Sequence, residues 1–195
     1  MSSMEKQTEY DVKIKVHDLY LIILWDTSYF APRPEDKRIC GRRVAENLFS
    51  LEAFASNPKP EHRIAQALAE KLRPELAKQI KDVEEKLKAS LIQVNQELAD
   101  PLIKAVEVSL PEGNTYELTI DKGRGTPLVN SFIRLFVLAD QITASLKELH
   151  YRGALTKSEY KKREDQYAKP LRKAMHELNL IVKRYHQQRK AILSK

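Results

Sequence analysis

The sequence predicts a mainly α-helical protein with a short β element. Three observations carry that expectation. Apolar residues recur at spacings of three and four over most of the chain. Two short stretches, residues 10–17 and 115–120, alternate instead. Turn residues are scarce: there are 5 glycines in 195 residues, and Gly113, Gly123 and Gly125 fall in or beside TYELTIDKGRGTPLVNSFIRLFVLA at 115–139. In that segment the pattern passes from strand to glycine turn to helix, so it is taken as the centre of the chain.

In order, residues 1–9 are polar and expected to fray. Residues 10–17 set Val12, Ile14 and Val16 on one face and Lys13 and Lys15 on the other, the period of a half-buried strand. The apolar run LYLIILW at 19–25 fits a buried strand or a buried helix equally, and is too short to span a bilayer. Pro32 and Pro34 make a loop. Residues 37–54 then carry Ile39, Val44, Leu48, Leu51 and Phe54 at helical spacing, with Arg38, Arg42 and Arg43 as a basic group.

SNPKPEH at 56–62 breaks the chain. Beyond it Leu68, Leu72, Leu76, Ile80, Val83, Leu87, Leu91, Val94 and Leu98 form one stripe, which needs a partner from this chain or a second one. Pro74 is expected to kink that helix or to open its main part. Asp100-Pro101 marks its end. VEVSL at 106–110 and TYELTI at 115–120 both alternate around PEGN, which predicts a hairpin; the competing reading leaves the first segment helical and frees the second to pair elsewhere.

After DKGRG, Thr126 and Pro127 open a helix as hydroxyl N-cap and first-turn proline. Its apolar face runs Leu128, Val129, Phe132, Leu135, Phe136, Ala139, Ile142, Leu146 and Leu149. Asp140 lies close to that face and is expected to be satisfied by Arg134 or a neighbouring helix rather than to be catalytic. Gly153 ends the helix, and Thr156 with Glu159 forms a capping box for the last one, where Pro170 is expected to cause a kink. The chain thus divides into an N-terminal extension of strand plus helix (1–57), a long helical segment (58–100), a β ribbon or hairpin with capped helix (101–155) and a basic C-terminal helix (156–195), within one compact domain.

The formal charge of +7 is unevenly placed, because residues 147–195 hold fourteen Lys or Arg against five Asp or Glu. Such an excess attracts phosphate backbones or an acidic partner, or serves only as a solvated face. Cys40 is the single cysteine, so no intramolecular disulfide and no metal-ligand spacing arise. No hydrolase, P-loop or zinc-protease motif occurs, and GRG is too short for a dinucleotide fingerprint, so no enzyme and no cofactor are expected. Glu5, Glu9 and Asp11 stand where a signal peptide would be positive, which predicts a cytoplasmic protein without membrane contact.

Lys122, Arg124 and the amides at Thr126, with two glycines beside them, are the parts that would hold a phosphate. Taken alone, the segment reads more readily as a tight strand-to-helix turn. Lys13 and Lys15 project together from their strand, as groove-facing residues would, although lysine also protects edge strands from aggregation.

GTPLVNSFIRLFVLAD at 125–140, followed by LKELHYRGALTKSEY at 146–160, resembles the AcaB-like family of conjugative plasmids and integrating conjugative elements. The resemblance implies a sequence-specific transcriptional regulator of conjugative transfer genes. Its fold would be a ribbon-helix-helix-like DNA-binding core with long helical extensions, dimeric, since two chains each give one strand to the ribbon. Partners would be double-stranded DNA and a second copy, with no small-molecule substrate. Two strands are candidates for the ribbon: 115–120, which puts Thr119 and Glu117 outward, and 10–17, which offers Lys13 and Lys15. The candidate nucleic-acid-binding residues are therefore Thr119, Lys122, Arg124, Thr126, Lys13 and Lys15. The alternative is a helical interaction or accessory factor that uses the 62–98 stripe and binds no DNA.

Overall fold

The chain forms β1 (Val12–Val16), α1 (Leu19–Trp25), α2 (Gly41–Ala55), a 3-10 turn at Pro60–His62, α3 (Arg63–Leu98), α4 (Pro101–Lys104), β2 (Tyr116–Ile120), α5 (Pro127–Tyr151) and α6 (Lys157–Leu193). The structure is a computed structural model and describes residues 11–30, 38–110, 112–120 and 123–193.

Helix α5 is the axis. All nine of its expected apolar residues are buried, and Ile133 and Thr143 are buried with them, so its apolar arc requires cover from several sides. Helix α3 supplies the longest cover, with α6 and α2 completing the bundle. The stripe on α3 is thus spent within its own chain: Leu76, Ile80, Leu87 and Val94 are fully buried and the other five residues pack against the same core. Pro74 lies inside one continuous helix, which does not divide there, and Pro170 is likewise internal to α6. At the top of the core Trp25 meets Phe136 edge-on, with ring centroids 5.2 Å apart, and Phe136 meets Phe132 at 5.6 Å.

LYLIILW is helical because Asp18 caps it. The Asp18 carboxylate accepts the N–H groups of Tyr20 at 2.7 Å and Leu21 at 3.2 Å, and the helix buries Leu21, Ile22 and Trp25. The capping box at Thr156 and Glu159 forms as expected. Glu159 accepts the Thr156 N–H at 2.8 Å, and the Thr156 hydroxyl accepts the Glu159 N–H at 3.2 Å. Asp140 is also satisfied structurally, but its donors are His17 and Asp18 at the corner between β1 and α1, while Arg134 bonds Ser131 instead.

The expected hairpin does not form. β2 pairs antiparallel with β1, in register from Val12 opposite Ile120 to Val16 opposite Tyr116. The segment 107–110 has no regular structure, and it is not helical either. Just before it, at the end of α4, the Arg152 guanidinium donates to Val106 O at 2.7 Å and Lys104 O at 3.3 Å. Both β strands bury their apolar face against the bundle, which fixes the register, since a one-residue slip would turn Leu118 outward and Glu117 inward.

Candidate nucleic-acid interface

The two strands that looked like rival ribbons are the two halves of one sheet. Their polar residues therefore share a face. Lys13 stands opposite Thr119, and Lys15 opposite Glu117. Lys13 and Lys15 are exposed, and the Lys13 ammonium also reaches the Glu117 carboxylate at 3.2 Å. The Thr119 hydroxyl donates to the same carboxylate at 3.3 Å. Because the sheet closes within one chain, it does not need a strand from a second copy.

The turn after β2 behaves only partly as expected. Gly123 takes a positive φ of 68°, which a side chain would disfavour. Gly125 is small for a different reason: a Cβ there would lie 2.2 Å from Val12 Cγ2. The backbone approaches strand β1 closely rather than leaving room for a ligand. Arg124 is exposed, with its guanidinium 5.7 Å from the centre of the Phe49 ring. Lys122 lies outside the described residues.

Thr126 occupies the N-cap position, but its side chain makes no capping bond and its Oγ1 is buried with no hydrogen-bond partner. Its N–H donates to Arg124 O at 2.9 Å. The amide of Thr126 is thus committed to the turn, and Pro127 has no N–H to offer, which removes the phosphate role expected of that amide.

Arg42 is the residue that sequence reasoning left out. It lines a small cleft with Phe49, Thr119 and Arg124, so the start of α2 adds a cation beside the end of the ribbon. Its guanidinium also contacts Asp26 at 3.4 Å and Glu46 at 3.5 Å. Burial pushes the Asp26 carboxyl up, but hydrogen bonds from Ser28 and the nearby Arg42 outweigh it and hold the group below its ordinary value. The signal for Arg42 was the basic group at 38–43; its place beside β2 depends on tertiary packing.

On α6, Lys157, Lys161, Lys162, Lys169, Lys173, Lys183, Arg184 and Lys190 are exposed. Three arginines of the same helix are half-buried. Arg163 holds Glu97 through two bonds of 2.7 Å, Arg172 donates to the Tyr20 hydroxyl and Asp165 at 2.8 Å each, and Arg189 lies over the Phe54 ring at 4.1 Å. These arginines join α6 to α3, α1 and α2. The helix packs mainly on α2, α3 and α5 rather than on the sheet.

Among the described residues no cluster of His, Cys, Asp or Glu could hold a metal ion, and no helix is long and apolar enough to cross a membrane.

Fold and site together define a helical bundle around a central helix, with a two-stranded antiparallel sheet whose polar face is partly basic. The crystal structure of selenomethionine-containing AcaB from uropathogenic E. coli is similar to it, with a TM-score of 0.67 and 18% sequence identity over 93% of this chain and 83% of that one. The chain has an AcaB-like fold. No protein-family model matches the chain, and no curated protein matches its sequence.

Proposed function

We infer that the protein is a non-catalytic, sequence-specific DNA-binding regulator of conjugative transfer genes, working in the cytoplasm as a homodimer without a cofactor. The observation that carries this reading is the grouping of Lys13, Lys15 and Thr119 on one face of a paired ribbon, with Arg124 and Arg42 at its end. A two-stranded ribbon of five residues per strand is about 17 Å long, and B-DNA's major groove, about 12 Å wide, admits such a ribbon. Lys13, Lys15, Lys122 and Arg124 would meet phosphates or guanine edges. Glu117 would accept from a cytosine amino group, a contact that contributes selectivity at the expense of general phosphate attraction. Thr126 supports the turn without touching DNA. The similarity to AcaB in fold, together with the sequence resemblance at 125–160, supports placing the regulator on a conjugative element.

The alternative reading, an interaction protein using the 62–98 stripe, loses that surface to α5 and α6. One smaller patch open to it is exposed Tyr29 and Phe30, edge-on to Tyr116 at 6.2 and 5.9 Å.

Gel-shift titration of the purified protein decides between the two. Promoter fragments of its own element should be bound in preference to random duplex, with affinity falling steeply as salt rises. Equal affinity for random DNA, or no binding at low salt, would refute the regulator reading. Light scattering addresses the homodimer separately, against a single-chain mass of 22.6 kDa.

A further inference from the structure

Helix α6 uses its cations in two ways. Arg163, Arg172 and Arg189 reach Glu97, the Tyr20 hydroxyl and the Phe54 ring, and so tie the helix to its neighbours. The lysines stay in solvent. Among the described residues, Lys161 and Lys173 meet acids of their own helix, Glu164 at 2.8 Å and Glu177 at 3.6 Å. No acid pairs with Lys157, Lys162, Lys169, Lys183, Arg184 or Lys190, all of them exposed.

At about 100° per residue, these six fall within one half of the helix circumference. The other half buries Leu171, Leu178, Val182 and Tyr185. Asp165, an acid on the basic side, is itself held by Arg172 at 2.8 Å. From Lys157 to Lys190 the row is about 50 Å long at a rise of 1.5 Å per residue, which is about one and a half turns of B-DNA. The helix packs mainly on α2, α3 and α5, so this row is a surface separate from the ribbon.

Its chemistry selects among polyanions. Single strands are held by stacking their bases on aromatic rings, yet Tyr160 and Tyr185 of this helix are buried. A membrane surface takes an apolar face beside the basic one, and the apolar face of α6 lies in the core. Lysine is a compact charge on a flexible stem, suited to phosphates at varied positions rather than to bidentate reading of one carboxylate or base edge. A stiff duplex, with one backbone charge per ~1.7 Å of axis, offers phosphates along the whole row.

We propose that this face of α6 holds the sugar-phosphate backbone of double-stranded DNA, independently of sequence, as a second contact surface besides the ribbon. The choice of DNA as the polyanion rests on the DNA-binding reading above. Each unpaired cation that meets a phosphate releases a condensed counterion, so α6 sets much of the salt dependence while the ribbon sets the preference for one sequence.

The test is fluorescence anisotropy of the full-length protein on a random-sequence duplex over a salt series. Changing Lys162, Lys169 and Lys183 together to glutamine should reduce the slope of log affinity against log salt by about two to three units and weaken binding at least about tenfold near ~0.1 M salt. Glutamine at Lys71, Lys78 and Lys86, exposed lysines of α3, removes the same charge and should leave the slope within about half a unit. Unfolding midpoints of both variants should match the parent. If the first variant does not fold, glutamine at Lys157, Arg184 and Lys190 takes its place. The proposal is overturned if the parent fails to bind random duplex at low salt, if the α6 variant keeps the parental slope, or if the α3 variant loses as much. An unchanged DNA slope with weakened binding to poly-glutamate would assign the face to an acidic protein instead. Preference for promoter fragments over random duplex is read separately: if it persists while the α6 slope is unchanged, this proposal falls and the regulator reading stands, and the converse result does the reverse.

Discussion

Asp140 grips His17 at two points, accepting its backbone N–H at 2.8 Å and lying 2.8 Å from its ring Nδ1, while the same carboxylate accepts the Asp18 N–H at 3.0 Å. One side chain of the central helix thereby fixes the corner where β1 turns into α1. Asp140→Ala would leave two backbone donors without a partner at a buried site, each costing ~1–3 kcal/mol. The expected loss is about 2–4 kcal/mol, read as a lower urea midpoint with an unchanged slope. Asp140→Asn keeps one acceptor oxygen and should lie between Ala and the parent. A loss under about 0.5 kcal/mol for the alanine variant would mean that the corner is held by something else.

Gly125 and Val12 make the second prediction. Gly125→Ala would bring a methyl to 2.2 Å from Val12 Cγ2, which neither the strand nor the turn can accommodate without shifting. Overpacking of this kind costs about 1–3 kcal/mol. Val12→Ala in the same chain should recover part of the loss, so that the double variant is more stable than the sum of the single effects predicts. Simple additivity would show that the two sites do not press on each other.

How far the sequence reached follows from the range of each interaction. The start of α5, the Thr156 capping box and the α3 stripe were legible because caps and helical periodicity are local. The pairing of β1 with β2 was not, since 106–110 alternates as convincingly as 10–17 does. What distinguishes the two lies far away in sequence: Val12 packs against Gly125, while Arg152 donates to the carbonyls at Lys104 and Val106. Glycine at 125 read as room for a ligand and is room for a side chain of the protein itself. Thr126 is the N-cap residue by position while its hydroxyl is buried without a hydrogen-bond partner, and nothing in the local sequence distinguishes that from an ordinary cap. Arg42 was visible as a charge, but not as a neighbour of Thr119.

Glu117 tests which face meets DNA. Its carboxylate holds Lys13 at 3.2 Å and stands opposite Lys15. If the ribbon enters the groove, Glu117→Gln should release Lys13, remove repulsion from phosphates and tighten binding to random duplex by several-fold. Lys15→Ala should weaken binding and reduce the slope of log affinity against log salt by about one unit. Fluorescence anisotropy over a salt series measures both. Unchanged slopes in the two variants would move the interface off the sheet.

Leu87 separates a structural stripe from a docking surface. It is 1% exposed and belongs to the core shared by α3, α5 and α6. Leu87→Ala should therefore cost ~2–5 kcal/mol in unfolding experiments, as large-to-small core changes do. DNA affinity measured well below the new melting temperature should stay within about twofold, because the residue lies away from the sheet. A stable Leu87→Ala protein would return the stripe to the interaction-protein reading.

His186 gives the fold a pH dependence of known sign. Burial lowers its pKa from the ordinary 6.5, and the nearby charges of Arg189 and Lys190 lower it further. Its ring also meets the Phe54 ring edge-on at 6.3 Å, so protonation would place a charge beside an aromatic contact. With the folded value below the unfolded one, the unfolded chain binds the proton more readily. The contribution to stability is fully present above the unfolded value and is lost as pH falls through the folded one. Melting temperature should thus fall as pH is lowered from 7.5 towards 5 (about the range in which histidine titrates), and His186→Gln should flatten that decline. Since the other titrating groups are common to both proteins, the difference between the two curves isolates this ring. Parallel curves for parent and variant would show that His186 takes up its proton equally in the folded and unfolded states.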